Sequence, residues 1–176
     1  NYWKKQLHHA NALLNIPTDK PRPQQLSYQG SNHIFYLSET TTNQLQILAQ
    51  QNHVTLFTIL LCSISILLYQ YSQQEDLVIG IAHGQRPHPD FNNLIGFFVN
   101  MLPIRIKQTD QLNFTDLLKQ VKSTLSNAYH YNAPLEEITR HINLPHYPNC
   151  HPLFQISATM HEVPPLCMNF SGSTTT

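Results

Sequence analysis

Strand-forming runs that alternate with helical periodicity predict an α/β chain in which helices cover at least part of a sheet. Three observations carry this. Asp76 to Ala82 (DLVIGIA) is β-branched and uninterruptedly apolar, the pattern of a strand buried on both faces. Phe97 to Lys107 reads as a second strand, in which Pro103 demands an edge position or a bulge. Asn113 to Tyr131 sets Phe114, Leu117, Leu118, Val121, Leu125 and Ala128 at helical spacing, behind an Asn113 cap and with Asp116 in the first turn.

The remaining elements follow in order. Tyr2 to Leu14 is predicted as a first helix, and residues 15–30 as an extended connector, because the three prolines of IPTDKPRPQQ cannot continue one. His33 to Leu37 reads as a short strand. Ser38 is the expected N-cap of a helix running to about Gln51, with Leu45, Leu48 and Ala49 as its buried stripe, and Thr55 the cap of the next. That next helix, Leu56 to Tyr71, is shorter than the roughly 20 residues a membrane crossing needs and carries Thr58, Ser63 and Ser65, so burial in a core is expected.

The backbone is free to turn at Gly80 to Gly84, and a proline-containing loop spans residues 85–93. Pro134 is placed to start a short helix, PLEEITRHI, where Glu136 and Glu137 favour the positive end of the helix dipole. HPLFQISATM returns to a strand, and residues 161–176 read as an irregular tail.

At 176 residues and 41% hydrophobic content the chain suits one domain with a sizeable core. Ten basic and ten acidic side chains cancel without forming runs, which argues against nucleic acid and membrane surfaces as partners. Cys62, Cys150 and Cys167 are odd in number with no close pair, fitting a reducing cytoplasm rather than a disulfide framework or zinc knuckle. No charged start leads into an apolar signal region, and the chain opens on Asn1 rather than methionine, so a fragment of something longer is expected.

Local motifs nominate no catalytic residue. Among eleven histidines the densest group is His141, His146, Cys150 and His151, which lacks metal-ligand spacing, so no metal site is expected. His8 and His9 point about 100° apart if helical and read as a solvated face. No nucleophile elbow, phosphate loop or dinucleotide fingerprint occurs, and Cys62 sits where a thiolate is disfavoured.

Residues 76–105, DLVIGIAHGQRPHPDFNNLIGFFVNMLPIR, resemble the condensation domains of nonribosomal peptide synthetases. The likeness rests on an Asp-led strand reaching Gly80, then Arg86, then Ile95-Gly96-x-Phe98-Val99-Asn100 and Arg105. Tyr2, Trp3 and Leu7 upstream, the paired helices before Asp76, and HYNAPLEEI and HPLFQI downstream extend it to about Met160. Met101, Asn132 and Leu135 depart from the threonine, aspartate and phenylalanine usual in the family. The family's catalytic His-His-x-x-x-Asp-Gly is absent: ANALL follows His8-His9.

The resemblance implies one chloramphenicol acetyltransferase-like lobe: a two-layer α+β sandwich, its mixed sheet covered by helices. It implies that residues 1–176 are most of the C-terminal lobe, catalytically inactive alone. The complete domain would make an amide between a carrier-bound acyl or peptidyl thioester and an aminoacyl amine. Related ester-forming or epimerising domains, or a non-catalytic binding lobe, are the alternatives. The implied partners are peptidyl or acyl carrier proteins with their phosphopantetheine arms, an N-terminal lobe and an adenylation domain; no cofactor is expected to bind the chain directly. Gly96, Phe98, Asn100 and Arg105 become candidates for a tunnel wall or interlobe face, whereas Gly80, Arg86, His130, Pro134, His151 and Pro152 fall on motif positions expected to be structural.

Overall fold

The computed structural model describes residues 1–161 apart from 12, 26, 27, 85, 87 and 143–146. The helix starts are set by local chemistry. Ser38 Oγ accepts from the Thr41 N–H (3.1 Å) to open α2, Glu39–Gln51. Thr55 Oγ1 accepts from the Thr58 N–H (3.2 Å) to open α3, Leu56–Ser72, and Asn113 Oδ1 from the Asp116 N–H (2.9 Å) to open α4, Phe114–His130. Each cap satisfies one of the N–H groups that a helix start leaves without an intrahelical partner. A short α5, Leu135–Arg140, starts at Pro134 with Glu136 and Glu137 in its first turn.

Strands β1 (Asp76–Gly84), β2 (Val99–Lys107) and β3 (Ser157–Ala158) form a mixed sheet in the order β2-β1-β3, with β1 antiparallel to β2 and parallel to β3. Pro103 lies opposite Gly80, whose N–H is turned away to the Ile156 carbonyl of the β3 side (3.0 Å). The pair is therefore a non-hydrogen-bonded one, and the proline nitrogen faces the outer edge of an edge strand, where no donor is needed. Pro103 is nonetheless fully buried. Ile79, Ile81, Leu102, Ile104 and Ile106 of the sheet meet Ile59 and Leu61 of α3 and Val121 of α4 in one core cluster.

The polar exception in that interior is resolved by pairing. Ser65 on α3 donates to the Cys62 carbonyl (2.8 Å) and accepts from Gln108 Nε2 (2.6 Å), so both buried side chains are satisfied. No single described helix is long and apolar enough to cross a membrane.

Five expectations are corrected. The first helix, α1, covers Tyr2–Gln6 and not Tyr2 to Leu14: Leu7 ends it, His9 takes φ 53°, and the carbonyls of Gln6, His8 and His9 are claimed by a distant arginine. His8 and His9 thus lie in a turn, their rings edge to face at 3.9 Å. His33 to Leu37 is exposed and joins no described strand, since strand propensity without a neighbour makes no ladder. The strand in HPLFQISATM is confined to Ser157–Ala158, and β2 starts at Val99 rather than Phe97. Phe114, at the very start of α4, is exposed while Leu117, Leu118, Val121, Leu125 and Ala128 are buried. The tail of residues 162–176 with Cys167, and His146 of the histidine group, lie outside the described residues.

Candidate functional site

Arg105 is the most connected side chain on β2. Its Nε and Nη2 donate to Asp76 Oδ1 (2.7 Å) and Oδ2 (2.5 Å). Nη1 donates to the carbonyls of Gln6 and His8 (both 2.9 Å), and Nη2 also to that of His9 (3.3 Å). A guanidinium carries five N–H donors, and these five bonds occupy them all. With 8% of its side chain exposed, Arg105 clamps β2 to β1 and both to the end of α1. A candidate for the interlobe face by its motif position, Arg105 directs its charge inside the chain, onto Asp76, the first residue of β1.

Asn100 makes a second clamp. Its Nδ2 donates to Asn132 Oδ1 (2.8 Å) and the Ala133 carbonyl (2.7 Å), while its Oδ1 accepts from the Leu135 N–H (3.3 Å). The side chain thereby holds the turn between α4 and α5 and satisfies the first N–H of α5, a start with no cap from Pro134 itself. Trp3 Nε1 donates to the Tyr131 carbonyl (2.7 Å), and the Tyr2 ring stacks on that of Tyr131 at 4.5 Å, tying α1 to the same turn. Asn132 Nδ2 is buried without a partner among the described residues. Met101 is half-buried against the core, and Leu135 likewise.

Gly96 and Phe98 belong to a different environment. Arg86 Nη1 donates to the carbonyls of Phe91 and Leu94 (3.0 Å to the latter), and its guanidinium sits 4.3 Å from the Phe98 ring centroid. These contacts fix a loop that begins with the 3₁₀ turn Pro89–Asn93. A side chain at Gly96 would press on the Phe98 ring at 3.0 Å. Leu94, Ile95 and Phe97 beside them point outward and are exposed.

Gly80 and His151 work together through Phe154. A Cβ at Gly80 would overlap the Phe154 ring, so the absent side chain is what lets that ring lie on β1. His151 stacks on Phe154 at 4.2 Å, and its Nδ1 accepts from the N–H groups of Leu153 (3.3 Å) and Phe154 (3.4 Å). Burial holds the His151 imidazole below its ordinary pKa, which keeps the ring neutral and Nδ1 an acceptor. Half-buried Pro152 continues the turn. His130 is exposed in the last turn of α4, edge to face with Tyr131, and Pro134 is exposed at the start of α5.

Two grooves and one aromatic pair escaped the sequence reading. A groove of about 910 Å³ opens between the start of α3, the second half of α4 and the end of β1. A more polar one of about 530 Å³, with Lys5 and Lys107, lies between α1, β2 and α4. His83 on β1 stacks on Tyr129 of α4 at 4.6 Å; burial lowers the His83 pKa and raises that of Tyr129. The only signal in the sequence was an aromatic near the C-terminal end of a sheet-covering helix, which ordinary core packing produces as well. Burial pushes the Cys62 thiol up to about 12, so it is no nucleophile, and no cluster of metal-ligating side chains exists among the described residues.

Known proteins place this geometry. The family described as Condensation domain matches residues 1–168. The chain is 36% identical over 156 residues to malpibaldin synthetase of Mortierella alpina, covering 88% of this chain and 3% of that protein. It is 34% identical over 154 residues to bacitracin synthase 2 of Bacillus licheniformis, covering 87% and 6%. The chain thus spans only a few per cent of the length of these relatives. A four-domain nonribosomal peptide synthetase bound to AMP and glycine superposes with a TM-score of 0.90 at 24% identity, covering 99% of this chain and 14% of that one. The X-domain from teicoplanin biosynthesis superposes at 0.82 and 22% identity, covering 89% and 35%. At these identities the solved structures establish the fold, and the sequence match establishes the rest: this chain belongs to the condensation-domain family.

Proposed function

We propose that the chain is the C-terminal lobe of a nonribosomal peptide synthetase condensation domain, acting as one wall of a site whose catalytic histidine resides on another lobe. The complete domain joins an acyl or peptidyl thioester to the amine of an aminoacyl thioester, both presented by carrier proteins on phosphopantetheine arms. A thioester is already activated, so the chemical demand falls on holding the amine in line, stabilising developing charge and excluding water. A lobe that supplies rigid walls meets that demand without a nucleophile of its own. An adenylation domain that loads the acceptor carrier, and a cytoplasmic setting, belong to the same reading.

The observation that carries the proposal is the use made of residues 76–105. Asp76, Gly80, Arg86, Asn100 and Arg105 each fasten the sheet or its loops, while Ile95 and Phe97 are held outward on a loop staked by Arg86. Internal fastening on one side and a presented apolar surface on the other is what a half-site requires. Gly96 and Phe98 sit on that presented side, and Asn100 and Arg105 position it rather than touch substrate.

The test is complementation. The 176-residue chain is combined with a family N-terminal lobe bearing His-His-x-x-x-Asp-Gly, and amide formation between two loaded carriers is followed by mass spectrometry in a single turnover. Product from the pair but from neither piece alone is expected. A folded, co-purifying pair that forms no amide would overturn the catalytic reading and leave a lobe that only binds.

A further inference from the structure

We propose that the groove of about 910 Å³ between α3, α4 and the end of β1 binds an aliphatic chain carrying an anionic end group, with Lys122 and His53 receiving the anion. The groove lies within the size range of small-molecule sites, roughly 300–1,000 Å³. Of the motif run only Ala82 lines it, and none of Gly96, Phe98, Asn100 or Arg105 does, so the inference does not rest on the condensation reading.

Its walls are apolar and anchored. Leu125 is buried, Val54 and Phe57 are half-buried against the core, Leu56 is half-buried beside them, and Met160 lines one side. Tyr129 is braced by its stack on His83, which fixes the wall where α4 meets β1. An aliphatic chain of matching length gains free energy in proportion to the apolar area it removes from water.

The charge at the rim has one sign. Lys122 and His53 line the groove, and among the described residues no carboxylate does. Lys119, three residues before Lys122 on α4, is paired with Asp116 at 3.1 Å, whereas Lys122 makes no ion pair or hydrogen bond among the described residues. His53 is held in the α2–α3 turn at φ 52°, and the Thr55 and Thr58 hydroxyls are engaged with each other in the α3 cap. The ammonium is thus an unpaired cationic donor set beside an apolar trough, with the Ser126 and Tyr129 hydroxyls on the same lining. A neutral chain would use only the trough and a small anion only the rim, so the complementary ligand has both parts.

The experiment titrates the ¹⁵N-labelled 176-residue chain with decanoate below its micellar concentration, and in parallel with decanol and with acetate. Saturable decanoate shifts centred on the amides of Leu56, Leu125 and Tyr129 are expected, with decanol and acetate each weaker by about tenfold or more, the scale of one charge-assisted contact. Lys122→Met should weaken decanoate by a similar factor and Lys122→Arg should retain it. Lys122 is exposed on α4, and methionine and arginine are both good helix formers, so each variant keeps the fold. Equal binding of decanol, an unchanged Lys122→Met, or shifts centred on exposed residues 34–37 or 94–97 would overturn the proposal.

Discussion

The two halves of residues 94–105 are similarly apolar and meet opposite fates. Leu102, Pro103 and Ile104 are buried, and Arg105 with them, whereas Phe97 is 90% exposed and Ile95 wholly so. Neighbours make the difference. From Val99 onward every residue faces a partner on β1, with α4 and α5 packed against the strand. Before Val99 the chain is held by Arg86 through backbone carbonyls and one ring, contacts that fix its path without covering its side chains. Hydropathy therefore marks both halves as interior, and only the second is interior to this chain.

The sharpest way to break the buried half is at Arg105. Arg105→Ala leaves Asp76 without its bidentate partner and three carbonyls without a donor, and we expect a loss of about 3–5 kcal/mol, the scale for removing one member of a buried ion pair. Urea unfolding measures it, and a loss below about 1 kcal/mol would mean that the clamp is not formed in solution. Gly80→Ala comes next. Its new Cβ strikes a buried aromatic ring that already stacks on His151, for an overpacking cost of about 1–3 kcal/mol. The double variant Gly80→Ala with Phe154→Leu should cost less than the sum of the two single changes, because each relieves the other.

A smaller effect comes from pH, through the turn that seats Phe154. The His151 pKa is lowered by burial, so between its folded value and the ordinary 6.5 the unfolded chain holds more protons than the folded one. Stability must then rise with pH across that window and fall away as pH drops through it; His83, lowered by the same cause, adds to the slope. Thermal melts between pH 5 and 8, in steps of about half a unit, should show it. His151→Asn keeps an acceptor for the turn and removes the titration, so its melts should be flatter than those of the parent. Parallel curves would show that the imidazole titrates in solvent.

How far these arrangements were legible in the sequence depends on how local their causes are. Ser38, Thr55 and Asn113 could be read as caps because a cap and its N–H lie within three residues. Pro103 announced an edge for a similar reason, since a missing donor excludes a central position. The length of α1 was not legible: its last carbonyls serve a guanidinium about a hundred residues away along the chain. Nor was the partner of Arg105, although antiparallel register with Asp76 opposite Lys107 puts that carboxylate one diagonal step from it. The His83–Tyr129 stack and the groove beside it depend on which face of α4 meets the end of β1, a tertiary fact that no periodicity contains.

The smallest expected effect tests the exposed half. Ile95→Ser with Phe97→Ser removes two large apolar side chains that touch little, so the free energy of unfolding should move by no more than about 0.5 kcal/mol, as surface changes do. The same double change should make the chain less prone to self-associate, because an outward apolar loop is driven to find cover and another copy is the nearest source. Sedimentation velocity over a wide concentration range separates these consequences, with unfolding measured alongside at a single dilute concentration. Unchanged stability with weaker association would assign the two halves different tasks, one turned inward to brace the sheet and one outward toward a second body. A loss above about 1 kcal/mol would instead place Ile95 and Phe97 inside the fold in solution, and the contrast between the halves would vanish.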